Sequence, residues 1–228
     1  MRYTTLLFDL DHTLFDSDAA EAAAFDDTLK SAGADNPADY FDAFTSINTD
    51  LWTRVEQGVV SPNDVRYLRF EMLIEATDLV ANGVELGDRY VQGMGNNGEL
   101  YPGAKHVLDT LTASATLALI TNGIGEVQRT RIDRIGIGQF FDAIVISGEV
   151  GKAKPGTEIF DITFEQLGRP DKATALMIGD NLGSDILGGV NYGIDTCWYN
   201  PDLRNSNGLD ITHEIASLSA LPGLRRCS

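Results

Sequence analysis

Two carboxylates two residues apart, Asp9 and Asp11, directly follow the apolar run Leu6-Leu7-Phe8. Such a run reads as a buried strand, and in an open parallel sheet the carboxyl ends of the strands face the ligand crevice. Both acids, with Thr13, are therefore expected to project into it. Crowded acids resist joint ionisation unless a cation lies between them or one keeps its proton, and either state serves catalysis. The pattern predicts an enzyme.

Further chemistry-bearing groups follow other apolar runs. Thr121, Asn122 and Gly123 come after one, Lys154-Pro155 after the next, and Gly179-Asp180 with Asp185 after a third. A single strand-end Asp is as readily a turn former or helix cap. Four acids, a hydroxyl and an amine converging on one sheet edge are hard to explain as packing.

The elements that must hold these groups are legible as apolar runs at 4–10, 116–120, 143–147, 175–178 and 195–199. After the first, each is separated from the next by enough chain for a crossover helix, which predicts an α/β chain with a parallel sheet. Between Phe15 and Glu99 only helical patterns occur, and a stretch of that length is no loop. It predicts an inserted helical bundle with helices over 18–31, 37–57 and 84–94 and one opening at Ser61-Pro62-Asn63-Asp64, where Ser61 supplies a cap and Pro62 the first helical position. Tyr101-Pro102-Gly103 marks the return, with a helix over 104–113. The expected domains are a core of residues 1–15 and 100–228 and a cap of 16–99. The chain leaves and re-enters the core beside Asp9 and Asp11, so the cap is placed to be a lid.

The chain of 228 residues carries 34 acids against 17 bases, a formal charge of −17. That balance argues against nucleic acid as a partner, whose binding rests on Lys and Arg neutralising phosphates. A small phosphorylated ligand stays compatible, because a divalent cation in the cleft reverses the local sign. Cys197 and Cys227 form no disulfide or zinc pattern, and the first seven residues form no secretory or membrane segment. These features predict a cytoplasmic protein with no membrane partner. Either a monomer or a homodimer is expected.

The motifs resemble the haloacid dehalogenase superfamily: Asp-x-Asp-x-Thr at Asp9, Asp11 and Thr13, then Thr121, Lys154, and Gly-Asp-x4-Asp at Asp180 and Asp185, in order. The long helical segment between the first two motifs is similar in location to the family's first type of cap. The resemblance implies a Rossmann-like core with helices on both faces, a Mg²⁺ requirement and an aspartyl-phosphate intermediate. Asp11 distinguishes branches within it. Dehalogenases of the family lack the second Asp, since a departing halide needs no proton, so a phosphatase is favoured.

Phosphoryl transfer requires a nucleophile in line, neutralisation of the moving oxygens and a proton for the leaving oxygen. Asp9 is the expected nucleophile and Asp11 the acid and base. Asp9, Asp180 and the backbone carbonyl of Asp11 are the expected metal ligands, and Asp185 either holds a metal-bound water or orients Lys154. Lys154, the Thr121 hydroxyl and the amides near Asn122 and Gly123 are expected to bind the phosphoryl group.

The stretches 48–58, 145–154 and 180–198 look like the pyrimidine 5'-nucleotidase branch of that family. This implies nucleoside 5'-monophosphates as substrates. Alternatives are another small metabolite such as phosphoglycolate or a sugar phosphate, and a non-catalytic phospho-ligand binder. Phe15 and Asp16 are expected to line the entrance, and Trp52 either stacks on a base or packs in the cap core.

Several residues have plainer readings. His12 is expected to turn its ring away from the two acids, and His106 and His213 to lie on the surface. Lys152 competes with Lys154 for the amine role, but the proline after Lys154 favours the latter. Gly123 and Gly125 suit a tight turn, with no nucleotide cofactor implied. Asp16, Asp18, Glu21, Asp26 and Asp27 read as solvated acids around a helix start, and Cys197 as a small buried hydrophobe.

Overall fold

The computed structural model describes residues 3–206 and 208–224. Met1, Arg2 and Cys227, on which part of the targeting and cysteine expectations fall, lie outside the described residues. Six parallel strands form one sheet: β1 (Thr5–Phe8), β2 (Thr116–Thr121), β3 (Ala143–Ile146), β4 (Ala175–Gly179), β5 (Asp195–Tyr199) and β6 (His213–Ile215), in the order β3-β2-β1-β4-β5-β6. The last strand has no apolar run to announce it, because an edge strand of three residues, His-Glu-Ile, needs only one buried side chain.

Period-two alternation fills both faces of the sheet, as buried parallel strands require. Leu6, Phe8, Leu117, Leu119, Leu176 and Ile178 point to one side. There they pack against α5 (Ala104–Thr112) and part of α6 (Gly125–Ile135). Leu7, Ala118, Ile120, Ala175 and Met177 point to the other. There they meet α8 (Thr157–Gln166) and Tyr192 of α9 (Leu187–Tyr192); a short α7 (Ser147–Val150) follows β3. The result is a Rossmann-like α/β core with flanking helices. Among the described residues no helix is long and apolar enough to cross a membrane.

Four helices between β1 and α5 form the inserted cap: α1 (Ser17–Ser31), α2 (Ala38–Glu56), α3 (Val65–Ala76) and α4 (Gly83–Asn96). Their apolar faces close on an aromatic centre, in which Phe44 lies 4.6 Å from Phe25, 5.5 Å from Phe70 and 5.3 Å from Tyr90. The third helix starts later than the Ser61 cap predicts. Residues 61–64 make a turn, with Asp64 N donating to Ser61 O, and Asn63 spends its side-chain amide on Gly148 O across the cap and core at 2.9 Å. The Ser61 hydroxyl still accepts from Asn63 N at 3.3 Å, so the local cap is made on this turn and the Asn63 side chain adds a tertiary bond to it.

The two chain crossings are paired. Asp16 N donates to Glu99 O and Tyr101 N to Leu14 O, both at 2.9 Å, which ties the two crossings into one ribbon. Gly98, at φ +85°, closes this ribbon; a Cβ there would strike the Phe15 ring and Ala20. Cap and core also touch directly where Val91 of α4 packs on Ile124 and Val127.

Candidate active site

β1 and β4 are adjacent, and the connections leave them in opposite directions along the sheet, so their carboxyl ends flank the topological switch point. Asp9 follows the first and Asp180 the second. Both line a cavity of about 410 Å³ between sheet edge and cap, shared with Asp11, Asn122, Gly123, Lys154 and Asp185.

Lys154 is the hub. Its side chain is 1 % exposed, and Nζ donates to Asp9 Oδ1 at 2.6 Å, Asp185 Oδ1 at 2.6 Å and Ile120 O at 2.7 Å. Burial acts to lower the Lys154 pKa, but Asp185 and Asp9 outweigh it and hold the amine raised and charged. Asn122 fixes the lysine's backbone from both sides: its Nδ2 donates to Lys154 O and its Oδ1 accepts from Lys154 N, each at 2.9 Å. Lys152 is exposed and pairs with Glu158, so it takes no part.

Asp9, Asp180 and Asp185 each bring a carboxylate oxygen within 4.8 Å of the others. Gly179 permits this, because a Cβ there would occupy the space of the Asp185 carboxylate. Asp180 is steadied by Thr13, whose buried hydroxyl donates to Oδ1 at 3.4 Å. Its carbonyl accepts from Trp198 Nε1 at 2.8 Å and from Arg204 at 3.0 Å. Burial raises Asp9 well above 3.8; Lys154 opposes this, and Asp185, Asp11 and Asp180 add to it. Asp180 is pushed up to about 6, by burial and then by Asp185. Oxygen donors under such mutual repulsion fit a hard divalent cation.

The Asp11 carboxylate is not a member of that cluster. It is drawn aside by Arg131 Nη1 at 2.5 Å, Gln128 Nε2 at 2.6 Å and the Ser17 hydroxyl. Burial alone would raise its pKa, but Arg131 above all, then Ser17, His12 and Gln128, bring it below 3.8. Its expected metal role is thus confined to its backbone carbonyl. Arg131, Gln128 and Ser17 were not anticipated from the sequence. Arg131 and Gln128 lie on a helix more than a hundred residues away, and only spacing along α6, at i and i+3, could have placed the two on one face.

Other expectations are corrected. Phe15 is fully buried under the Arg131 guanidinium, 4.7 Å from its ring centre, and does not line the entrance. Asp16 caps α1 by accepting from Ala19 N at 3.2 Å, a use that removes it from the cavity wall. The Gly123 amide donates to Ser147 Oγ at 2.9 Å, which takes it from a phosphate, while the buried Thr121 hydroxyl accepts from Gln128 and keeps its own O–H to donate, as its phosphate-binding role would need. Thr13 is likewise buried and does not line the crevice. His12, at φ 59°, is among the residues that line the cavity, and its ring turns to Asp18, with Nδ1 3.8 Å from that carboxylate. His213 is half-buried on β6 against Tyr3, whereas His106 is exposed. Glu21 is no solvated acid: it lines the cavity, and burial raises its pKa. Trp52 packs beside Leu51 and Val55, as the core reading expects, and also lines the cavity. Cys197 is a free, fully buried thiol.

Comparison with known proteins agrees with this geometry. A family model described as haloacid dehalogenase-like hydrolase matches residues 6–199. The chain is 35 % identical to pyrimidine 5'-nucleotidase YjjG of Escherichia coli over 98 % of both chains. It is 36 % identical to pyrimidine 5'-nucleotidase PynA of Streptococcus pneumoniae, over 97 % of this chain and 94 % of the other. The crystal structure of the HAD-hydrolase YfnB of Bacillus subtilis, bound to magnesium, superposes with a TM-score of 0.91 at 33 % identity over 98 % of both chains.

Proposed function

Because the chain belongs to the haloacid dehalogenase-like hydrolases, we propose that it is a Mg²⁺-dependent phosphomonoesterase acting on pyrimidine nucleoside 5'-monophosphates through an aspartyl-phosphate. In this reading residues 1–15 and 100–228 are the catalytic core and 16–99 the cap that closes over the nucleoside. The observation that carries it is the separation of two neighbouring acids into different environments. Asp9 joins Lys154, Asp180 and Asp185, while Asp11 is held outside the acidic cluster yet on the same cavity.

Asp9 Oδ1 is engaged by Lys154, which leaves Oδ2 to attack phosphorus in line with the ester oxygen. As the ester bond breaks, Asp11 gives its proton to the leaving alkoxide. An arriving phosphate anion opposes Arg131 and favours the protonated acid that this step needs. Asp11, now a carboxylate, takes a proton from the water that attacks the acyl phosphate, and Asp9 is released with inorganic phosphate. Lys154 offsets the charge on Asp9 and the phosphoryl oxygens, and Asn122 keeps its backbone in place. Asp9, Asp180 and the Asp11 carbonyl are the residues to hold Mg²⁺, with Asp185 behind them; when bound, the ion neutralises the phosphoryl oxygens.

The test is phosphate release from a panel of nucleotide and sugar esters with and without Mg²⁺, for the wild type and Asp9→Asn. Pyrimidine nucleotides are expected to lead the panel, only with the ion and only in the wild type. Equal hydrolysis of every ester would remove the substrate assignment, and turnover by Asp9→Asn would remove the mechanism.

A further inference from the structure

Where the cap lines the cavity, two buried polar atoms lack a hydrogen-bond partner of good geometry, though Glu21 and Arg69 stand beside the second. They are Asn48 Oδ1, on a residue 8 % exposed, and the Tyr90 hydroxyl, on a residue 1 % exposed. Both residues line the cavity with Glu21, Trp52 and Arg69. A buried donor or acceptor left unmatched costs free energy, and native proteins rarely tolerate one without a use for it. The orientation of Asn48 is not arbitrary. Its Nδ2 donates to Glu21 Oε2 at 3.0 Å, and because a carboxylate can only accept, Oδ1 is left turned elsewhere.

Arg69 is equally committed. It is buried, its Nε donates to Val65 O at 2.9 Å, and its guanidinium lies 4.9 Å from the Tyr90 ring centre. This fixes the ring and its hydroxyl. Charge narrows what can bind. The cap contributes Asp18, Glu21 and Glu56 to the cavity wall against the single cation Arg69. An anionic leaving group, such as a carboxylate or a second phosphate, would meet net repulsion there.

We propose that Asn48 and Tyr90, braced by Glu21 and Arg69, form the specificity-determining subsite for a neutral leaving group whose N–H donor and adjacent acceptor satisfy Asn48 Oδ1 and the Tyr90 hydroxyl. The polar edge of a pyrimidine base has this chemistry, and the half-buried Trp52 offers its ring a flat apolar surface. The inference rests on the nucleotidase reading above and assigns the base contact within it. Ribose hydroxyls alone can supply donors but no flat ring.

The experiment compares uridine 5'-monophosphate with ribose 5-phosphate, which has the same ester and no base, in the wild type, Asn48→Ala and Tyr90→Phe. The readout is the ratio of the two kcat/KM values, which does not depend on the fraction of protein folded. Tyr90→Phe conserves volume and serves if Asn48→Ala does not fold. The wild type is expected to favour the nucleotide, and each substitution to lower the ratio by about tenfold, the loss expected from one buried hydrogen bond to ligand. A nucleotide preference that both variants retain would overturn this assignment and leave the nucleotidase reading standing. A wild type that turns over both esters equally would overturn the two together.

Discussion

Asp11 and Arg131 offer a test that needs no substrate. Arg131 is 2 % exposed, the Asp11 side chain is 22 % exposed, and 2.5 Å separates Nη1 from Oδ1. Among the described residues Asp11 is the one carboxylate within salt-bridge distance of this guanidinium. Asp11→Asn therefore strands a buried positive charge, and Arg131→Met frees Asp11 but also gives up the bond to Met94 O and the contact with Phe15. The double variant removes both charges. Breaking a fully buried pair costs about 3–5 kcal/mol, and partial exposure of Asp11 lowers the expected coupling to about 2 kcal/mol. For a chain of this length about 2 kcal/mol corresponds to roughly 4–8 °C in the thermal midpoint. The sign of the pH dependence follows from the carboxyl. Its folded pKa lies below 3.8, so the stabilisation is present above that value and is lost as pH falls through the folded one. Thermal unfolding of the four proteins at pH 7, without divalent cation, gives the coupling as a double-mutant cycle. Each single variant should be less stable than additivity with the double allows. A coupling under about 0.5 kcal/mol would be indistinguishable from independent sites and would refute the pairing.

Three further outcomes are expected. Asp11→Asn should lower kcat/KM by about a hundredfold or more while Mg²⁺ still raises the thermal midpoint, since its carboxylate lies outside the acidic cluster; full turnover would refute its role. Gly179→Ala should displace Asp185, cost about 1–3 kcal/mol in denaturant unfolding and abolish the Mg²⁺-dependent shift, whereas a midpoint like the wild type's would show that the close approach is not required. Burial pushes the Cys197 thiol up to about 12, so in a Cys227→Ser background a thiol reagent at pH 8 should label it only on unfolding; rapid labelling of the native protein would contradict its burial.

The sequence by itself determined five of the sheet's six strands and the catalytic edge. Apolar runs are local, and alternation such as Leu6-Leu7-Phe8 needs no partner to be read as a strand buried on both faces. A group directly past a strand must lie at its carboxyl end, which is why Asp9 and Asp180 could be named from spacing, whereas Lys154 and Asp185, further beyond β3 and β4, were named with the family's motifs. The use of each group depended on partners remote in the chain. Phe15 and Asp16 followed the motif as an entrance would, yet one went under Arg131 and the other to a helix cap. The Gly123 amide went to Ser147, and the Asn63 side chain reached across to Gly148. Hydrogen bonds and ion pairs are settled by whichever satisfied partner comes within about 3 Å, a distance that only the packing of α4 and α6 against the core could set. For the same reason the separation of Asp11 from Asp9, and the unmatched pair at Asn48 and Tyr90, belong to the tertiary structure alone.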